Sequence, residues 1–382
     1  MGNINLQNKK VKSQLPADKT GYTYNPLLGK NILPAEVVFH PSWWNRRAGI
    51  VFDKDFFFNP LKRVESEKKM EQILYNAFGQ YGLGSDRKEN IPTVGPVHLA
   101  AGYMIAGMLG CGIEYRADAP PEVIPANTGK PELGIEDPFV GNVFKDFQNM
   151  CNDLKTRYGY LYGDVNWSGV LNTALDICGQ SIFIEMTDNP QQVHSFFSEI
   201  SGVLLRFTKI VKELTGSTSI AVNRTVRHLA QPVFLHSECS VTMISESQYS
   251  DFLKPIDREW SRQYRPYGIH FCGKDPHRFA QAFAEIPHLD FLDLGWPGDI
   301  TLLRQHLPDT FLNIRLSPSE LAGWDEDAII KILHKSVQCS GNPFLTGICC
   351  INIDSSVTDE KVNALFKTVS HLREIYRSEL KL

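Results

Sequence analysis

The chain has 382 residues, of which 42% are hydrophobic and 21% charged, and its formal net charge is -4 at pH 7. This composition is typical of a soluble globular protein, and the lack of a basic stripe argues against nucleic acid as a partner. No run of about 18 uninterrupted apolar residues occurs, so no membrane span is predicted, and the first residues lack a signal-peptide core. Eight cysteines in a chain of this length do not form a dense disulfide framework, so a cytoplasmic location with reduced thiols is expected.

Residues 1–92 are predicted to form an N-terminal arm and helical extension that packs on the rest of the chain. The first 35 residues are polar and punctuated by proline and glycine, which indicates an extended arm. The aromatic-rich stretch 36–62 predicts a local hydrophobic cluster that seats this segment, with one wall of a substrate pocket as the functional alternative. Apolar residues at helical spacing then predict an amphipathic helix from Glu65 to Phe78.

From residue 93 onward, short apolar runs alternate with longer helical segments, a pattern typical of βα units around a parallel sheet. The predicted strands are Tyr160–Gly163, Val233–Glu238, Gly268–Cys272, Leu289–Leu294, Thr310–Leu316 and Phe344–Ile351. The last four recur regularly, with one helix between each pair, which favours a closed barrel over an open nucleotide-binding sheet. No glycine-rich dinucleotide or phosphate-binding loop occurs. We therefore expect an α/β protein whose residues 93–382 form one (β/α)8 TIM barrel.

The strand Gly268–Cys272 carries two side chains that suit a metal. Because side chains alternate along a strand, His270 and Cys272 share one face while Phe271 takes the other. Zinc accepts nitrogen and sulfur ligands, and catalytic zinc sites keep one position open. The alternative interpretation is a core histidine beside an ordinary buried cysteine.

Two adjacent cysteines end the last predicted strand and offer a third metal ligand. The last strands of a closed barrel return near its earlier ones, so a ligand from that strand can meet His270 and Cys272. Alternation places Cys349 and Cys350 on opposite faces, so only one of them is expected to face the barrel lumen. The sequence leaves open which one it is.

Polar residues also end several other predicted strands, where polar side chains of a barrel are typical of a catalytic site. These residues are His236, Glu238, Asp293, Asn313, Arg315 and, after the first predicted strand, Asp164, Asn166 and Trp167. Taken singly, each of them also suits a helix cap or a residue that supports a metal ligand. Taken together, they predict a polar pocket above the barrel.

Four segments resemble the uroporphyrinogen decarboxylase superfamily, from about residue 93 to the end of the chain. Ile269–Gly273 is similar to the H-x-C-G zinc motif of the branch of zinc-dependent methyltransferases that act on methyl-corrinoid proteins. Gly159–Trp167 resembles the glycine-rich segment of the superfamily's third strand, and Leu235–Ser240 resembles the tip of its fourth. Cys349-Cys350 is similar to the terminal cysteine of that branch.

The resemblance implies zinc held by His270, Cys272 and a late cysteine, and transfer of a methyl group between a corrinoid protein and a thiol or other small acceptor. Glu238, His236 or Asp293 is then a fourth ligand, a proton acceptor or a support. Five residues are expected to bind substrate: Asp164, Asn166, Trp167, Asn313 and Arg315.

The resemblance also makes a homodimer plausible. Two alternatives stay open at this point. One is a metal-free decarboxylase of a tetrapyrrole or related carboxylated substrate. The other is a non-catalytic corrinoid- or tetrapyrrole-binding protein.

Overall fold

The structure is a computed structural model that describes residues 32–86, 103–159, 161, 168–215, 233–295 and 297–380. These residues form two compact units. One contains the described residues within 1–38, 223–235 and 257–382, and the other contains those within 39–222 and 236–256. The first unit carries most of a parallel sheet and its flanking helices, and the second is mostly helical.

Eight strands are present among the described residues. They are β1 (Ala35–Phe39), β2 (Gly112–Glu114), β3 (Glu122–Ile124), β4 (Phe234–Glu238), β5 (Tyr267–Phe271), β6 (Phe291–Gly295), β7 (Phe311–Leu316) and β8 (Thr346–Ile353). Six of them form one sheet in the order β1-β8-β7-β6-β5-β4, whereas β2 and β3 form an antiparallel pair. The neighbours β5–β6, β6–β7 and β7–β8 run parallel. These inner strands are almost entirely buried, as expected for a parallel sheet covered on both faces, so each polar side chain on them requires a partner.

The described residues contain six strands of one sheet and not the closed barrel of eight strands that the sequence predicted. Within the described residues the sheet has six strands, and of the predicted strand Tyr160–Gly163 only Leu161 is described. The first strand comes from Ala35–Phe39, inside the segment that the sequence analysis assigned to the N-terminal extension. The backbone N–H of Ile348 donates to the carbonyl of Pro34 at 2.9 Å, which ties the start of β1 to β8. A short apolar run beside an aromatic cluster gave no alternation by which to recognise it as a strand.

Fifteen α-helices lie within the described residues. They are α1 (Pro41–Ala48), α2 (Lys54–Phe58), α3 (Pro60–Phe78), α4 (Tyr103–Met108), α5 (Asn142–Tyr158), α6 (Val170–Cys178), α7 (Ser181–Asp188), α8 (Pro190–Thr215), α9 (Glu246–Gln248), α10 (Lys254–Gln263), α11 (Ala280–Ala284), α12 (Ile300–His306), α13 (Pro318–Gly323), α14 (Glu326–Ser340) and α15 (Asp359–Leu380). The predicted helix Glu65–Phe78 is confirmed as part of α3, which begins earlier because Asn59 caps it. None of these helices is long and apolar enough to cross a membrane.

The aromatic stretch of the second unit forms the local cluster that the sequence predicted. The rings of Phe39 and Trp43 stack with centroids 4.1 Å apart, and Phe39 also stacks on Phe78 of α3. Arg63 is fully buried beside this region, where its guanidinium lies 4.5 Å from the ring centroid of Phe56. Aromatic burial and a cation–π contact therefore seat α1 to α3.

Candidate metal and substrate site

His270 and Asp293 form a buried pair across two neighbouring strands of the first unit. The parallel register aligns His270 of β5 with Asp293 of β6, and both side chains are fully buried. The ring Nδ1 lies 2.6 Å from the Asp293 Oδ2, so the ring donates its Nδ1 proton to the carboxylate. A carboxylate in this position fixes the tautomer and leaves the Nε2 lone pair available to a metal.

The electrostatic environment of His270 has opposing parts. Burial and the neighbouring Arg315 guanidinium lower the pKa of the His270 imidazole, whereas the charge of Asp293 and the hydrogen bonds of the ring with Asp293 and Cys272 raise it. The raising contributions prevail, so the His270 pKa lies above its ordinary value. The carboxylate of Asp293 thus makes the ring a stronger base and a better electron-pair donor.

Cys272 lies beside His270 just beyond the end of β5. The ligand atoms of the two side chains lie within 4.8 Å of each other, and Cys272 is exposed whereas His270 is buried. An imidazole nitrogen and a reachable thiol on one strand end are the donors that zinc prefers. The two predicted ligands are therefore close together, and the pair could supply two of the ligands of a zinc ion.

Arg315 contacts the second ring nitrogen of His270, Nε2. Its Nη1 lies 3.0 Å from the His270 Nε2, and its Nη2 donates to the carbonyl of Phe271 at 3.2 Å. Gly295 aligns with Arg315 in the register and has no side chain to separate it from β5. A metal at Nε2 would take the lone pair that Arg315 contacts, so the guanidinium would have to move aside.

The polar group continues from Asp293 to β7 and β8. The Asn313 amide donates to the Asp293 Oδ1 at 3.0 Å and to the Cys349 Sγ at 3.3 Å, and Asn313 is fully buried. Gly347 aligns with Asn313, and a Cβ on this glycine would lie 2.8 Å from the Asn313 Oδ1. Asn313 was predicted to bind substrate, but here its amide bonds to Asp293 and Cys349 and so helps to orient the Asp293 carboxylate.

The two adjacent cysteines of β8 lie on opposite faces, as alternation predicted. The register aligns Cys349 with Arg315 and Cys350 with Leu316, so Cys349 shares the face of Asn313 and Arg315. Burial raises the pKa of the Cys349 thiol well above its ordinary value, and it raises the pKa of Cys350 to about 12. Without a metal, both thiols therefore stay protonated at neutral pH.

A second histidine–carboxylate pair, His236 and Glu238, lies in the second unit. The His236 Nε2 is 2.9 Å from the Glu238 Oε1, and both side chains are buried. The same carboxylate oxygen accepts the backbone N–H of Leu171 at 2.9 Å, in the first turn of α6. Gly169 permits this approach, because a Cβ there would lie 2.4 Å from the Glu238 carboxyl carbon.

Two residues of these sites, Asn172 and Lys274, were not predicted from the sequence. The Asn172 amide donates to the Ser237 carbonyl at 2.8 Å and its oxygen accepts the Ser240 N–H at 2.7 Å, which fixes the end of β4. Lys274, two residues beyond Cys272, lines a cavity with it in the first unit, and its place directly after H-x-C-G was the available signal. The predicted substrate-binding residues Asp164, Asn166 and Trp167 lie outside the described residues.

Comparison with known proteins gives likeness in structure. No family model matches the chain, and no curated protein matches it in sequence. A methyltransferase from Methanosarcina mazei has a TM-score of 0.63 at 13% sequence identity, with 96% of this chain and 98% of that chain covered. A B12-independent methionine synthase from Shewanella sp. W3-18-1, in complex with selenomethionine, has a TM-score of 0.50 at 10% identity, with 92% and 99% covered. At these identities the likeness shows a shared fold, in agreement with the α/β class that the sequence predicted.

Proposed function

We propose that the protein is a methyltransferase in which zinc is held by His270 and Cys272. The observation that carries this proposal is the pairing of a carboxylate-oriented imidazole with a neighbouring exposed thiol at the end of β5. Two solved structures that share the fold are named as a methyltransferase and a methionine synthase, which supports methyl transfer as the reaction class. The proposal therefore combines the donor set of the site with the chemistry of proteins of this fold.

The side chains of the site have separate roles in this proposal. Asp293 orients His270 through Nδ1 and keeps Nε2 directed away from the carboxylate, while Asn313 holds the second oxygen of Asp293. When bound, zinc lowers the pKa of a coordinated thiol, so that an acceptor is present as thiolate at neutral pH. Cys272, being exposed, places the metal at the end of the strand where a small molecule can reach it.

The third protein ligand is proposed to be Cys349. It shares the strand face of Arg315 and Asn313, whereas Cys350 lies on the other face. Its high thiol pKa means that a metal must displace a proton to bind it, which makes occupancy depend on pH. Serine variants of Cys349, Cys350 and Cys239, the cysteine directly after β4, test this assignment by zinc content.

The methyl donor in this proposal is a methyl-corrinoid protein that docks at the barrel mouth, and the acceptor is a small thiol or another small molecule. The reverse direction, from a substrate methyl group to a corrinoid, uses the same residues. His236 and Glu238 are proposed to support the site or to accept a proton.

A homodimer is also proposed, and sedimentation at micromolar concentration tests it. A monomer whose sedimentation is unchanged by deletion of residues 1–35 would contradict the proposal.

The proposed function is tested by metal analysis followed by a methyl-transfer assay. We expect about one zinc per chain. We also expect zinc-dependent demethylation of methylcobalamin, followed by its absorbance, with a panel of thiols and pterins as acceptors. The variants His270→Ala and Cys272→Ser should lose both zinc and activity, whereas the matched controls His306→Ala on α12 and Cys339→Ser on α14 should retain them. Full zinc in the first two variants, or activity without zinc, would contradict the proposal.

A further inference from the structure

A small cavity opens at the carboxyl ends of β5 to β8 in the first unit. Its volume is about 230 Å³, and its lining includes Cys272, Lys274, Arg315 and Asn352. Among the described residues that line it, two are cationic and none is acidic. A concave site with positive charge alone favours an anionic ligand.

Arg315 is the buried charged side chain of this cavity. Its side chain is 6% exposed, and a guanidinium stays charged at any pH at which the protein is folded. Lys274 contributes less, because it is exposed and lies 3.5 Å from the Glu320 carboxylate in a solvent-screened pair. The specific anion contact is therefore expected from Arg315, with Lys274 adding a weaker field.

Arg315 also touches the nitrogen that a metal would use. Its Nη1 lies 3.0 Å from the His270 Nε2, while Asp293 already holds Nδ1. One lone pair cannot serve a guanidinium and a metal at the same time. When a metal binds, Arg315 must leave Nε2, and the cavity that its side chain lines offers the space to receive it.

Two positive groups then lie close together in a poorly solvated place. Their repulsion opposes metal binding unless a negative group lies between or beside them. A carboxylate or sulfonate in the cavity would accept two hydrogen bonds from the planar fork of Arg315. The same anion would offset the repulsion between the guanidinium and the metal.

We propose that this cavity is an anion subsite for the acceptor substrate, in which Arg315 holds a carboxylate or sulfonate once a metal occupies the His270 Nε2. The identity of the ligand as the acceptor rests on the proposed function. The coupling between metal and anion rests only on the contact of Arg315 with His270. Because coupling is reciprocal, the anion strengthens metal binding by the factor by which the metal strengthens anion binding.

The coupling is measured with probes that carry no thiol and so cannot bind the metal as acceptors do. Methanesulfonate, a poor zinc ligand, is titrated calorimetrically into zinc-loaded and zinc-free protein, with dimethyl sulfone as the neutral control and acetate, whose carboxylate can also ligate zinc, as a comparison in the wild type and Arg315→Gln. We expect methanesulfonate to bind about tenfold more tightly to the zinc-loaded form, within the usual range of coupling between sites. Zinc affinity, measured against a chromophoric chelator, should rise about tenfold in saturating methanesulfonate. Equal anion affinity with and without zinc would overturn the proposal.

Variants assign the anion contact to Arg315. Arg315→Gln should lose the anion at least about tenfold in the zinc-loaded form, and Arg315→Lys should recover part of the binding as a point charge. The matched control Lys274→Gln, a cation in the same cavity, should weaken binding by no more than about threefold. If Arg315→Gln does not fold, the Arg315→Lys variant still decides, since wild-type anion affinity in its zinc-loaded form would contradict a bidentate contact of the guanidinium.

A substrate comparison separates this proposal from the proposed function. The zinc-loaded enzyme should prefer 3-mercaptopropionate to its methyl ester as acceptor, and Arg315→Gln should remove the preference through KM. Methyl transfer to both thiols with equal kcat/KM would overturn the subsite and leave the proposed function standing. Zinc-coupled anion binding without methyl transfer to any acceptor would support the subsite and remove the proposed function.

Discussion

Two buried histidine–carboxylate pairs occur among the described residues, and they differ in which ring nitrogen the carboxylate uses. In the first unit, Asp293 on the strand beside His270 takes Nδ1. In the second unit, Glu238 lies two residues from His236 on one strand, and it takes Nε2. The Val170 N–H also approaches that nitrogen at 3.3 Å. In the first pair Nε2 therefore faces the Arg315 guanidinium and not the carboxylate, whereas in the second pair the carboxylate itself uses Nε2.

The two carboxylates also differ in their other hydrogen-bond partners. The Glu238 Oε1 accepts a backbone N–H in the first turn of α6, where the positive end of the helix dipole favours a negative charge. Asp293 instead accepts from the Asn313 amide on β7 and faces the Cys349 thiol on β8. The comparison teaches that a histidine and a carboxylate at strand ends do not by themselves mark a metal site. Whether such a pair can bind a metal depends on which ring nitrogen the carboxylate leaves unused and on which other protein groups the carboxylate contacts.

The largest expected difference between the pairs is metal content. The double variant His270→Ala, Cys272→Ser should contain less than about a tenth of a zinc per chain, compared with about one in the wild type. His236→Ala should retain nearly all its zinc, because the His236 Nε2 is already paired with its own carboxylate, Glu238. Mass-spectrometric metal analysis measures both. Equal loss of zinc in the two variants would break the distinction.

The second expected difference is in zinc affinity, between variants of the two adjacent cysteines that lie on opposite faces of β8. Cys349→Ser should reduce zinc affinity strongly, because it removes a proposed ligand on the face of Arg315. Cys350→Ser should behave as a mild substitution in the core, with zinc affinity changed by less than about threefold and stability lowered by about 1 kcal/mol. Chelator competition and urea unfolding measure these effects. Two variants with equal zinc affinity would contradict the assignment.

The carboxylates can be compared by removing charge and keeping size. Asp293→Asn should weaken zinc binding by about 10- to 100-fold, as expected when the partner of a ligating histidine is lost. Glu238→Gln should change zinc affinity by less than about threefold. The measurement is competition with a chelator at constant pH. A larger effect from Glu238→Gln would mean that the second pair also serves the metal.

The smallest expected effect is on stability in the second unit. Glu238→Gln should lower the free energy of unfolding by about 1–2 kcal/mol, because a buried negative charge at the start of α6 is replaced by a neutral amide. Glu199→Gln, an exposed change on α8, should shift it by no more than about 0.5 kcal/mol. Urea denaturation gives both values. Unchanged stability in Glu238→Gln would mean that the charge of this carboxylate does not stabilise the start of α6.

The sequence by itself determined those features that depend on local alternation. Strand periodicity predicted that His270 and Cys272 lie side by side, and their ligand atoms are within 4.8 Å. It also placed Cys349 and Cys350 on opposite faces, as the register of β8 bears out. Alternation of strands and helices indicated the α/β class, because each element must bury one apolar face. The closed barrel, the metal and the substrate residues beyond the described part of the chain remain predictions.

Only the tertiary structure decided which side chains meet across strands. The partnership of His270 with Asp293, and the approach of Arg315 past Gly295 to the same ring, depend on register between strands far apart in the chain. The place of Ala35–Phe39 beside β8 likewise follows from long-range hydrogen bonding and not from its own pattern. Sequence periodicity specifies the face on which a side chain lies, whereas strand pairing specifies its neighbours, and the chemistry of this site lies in the neighbours.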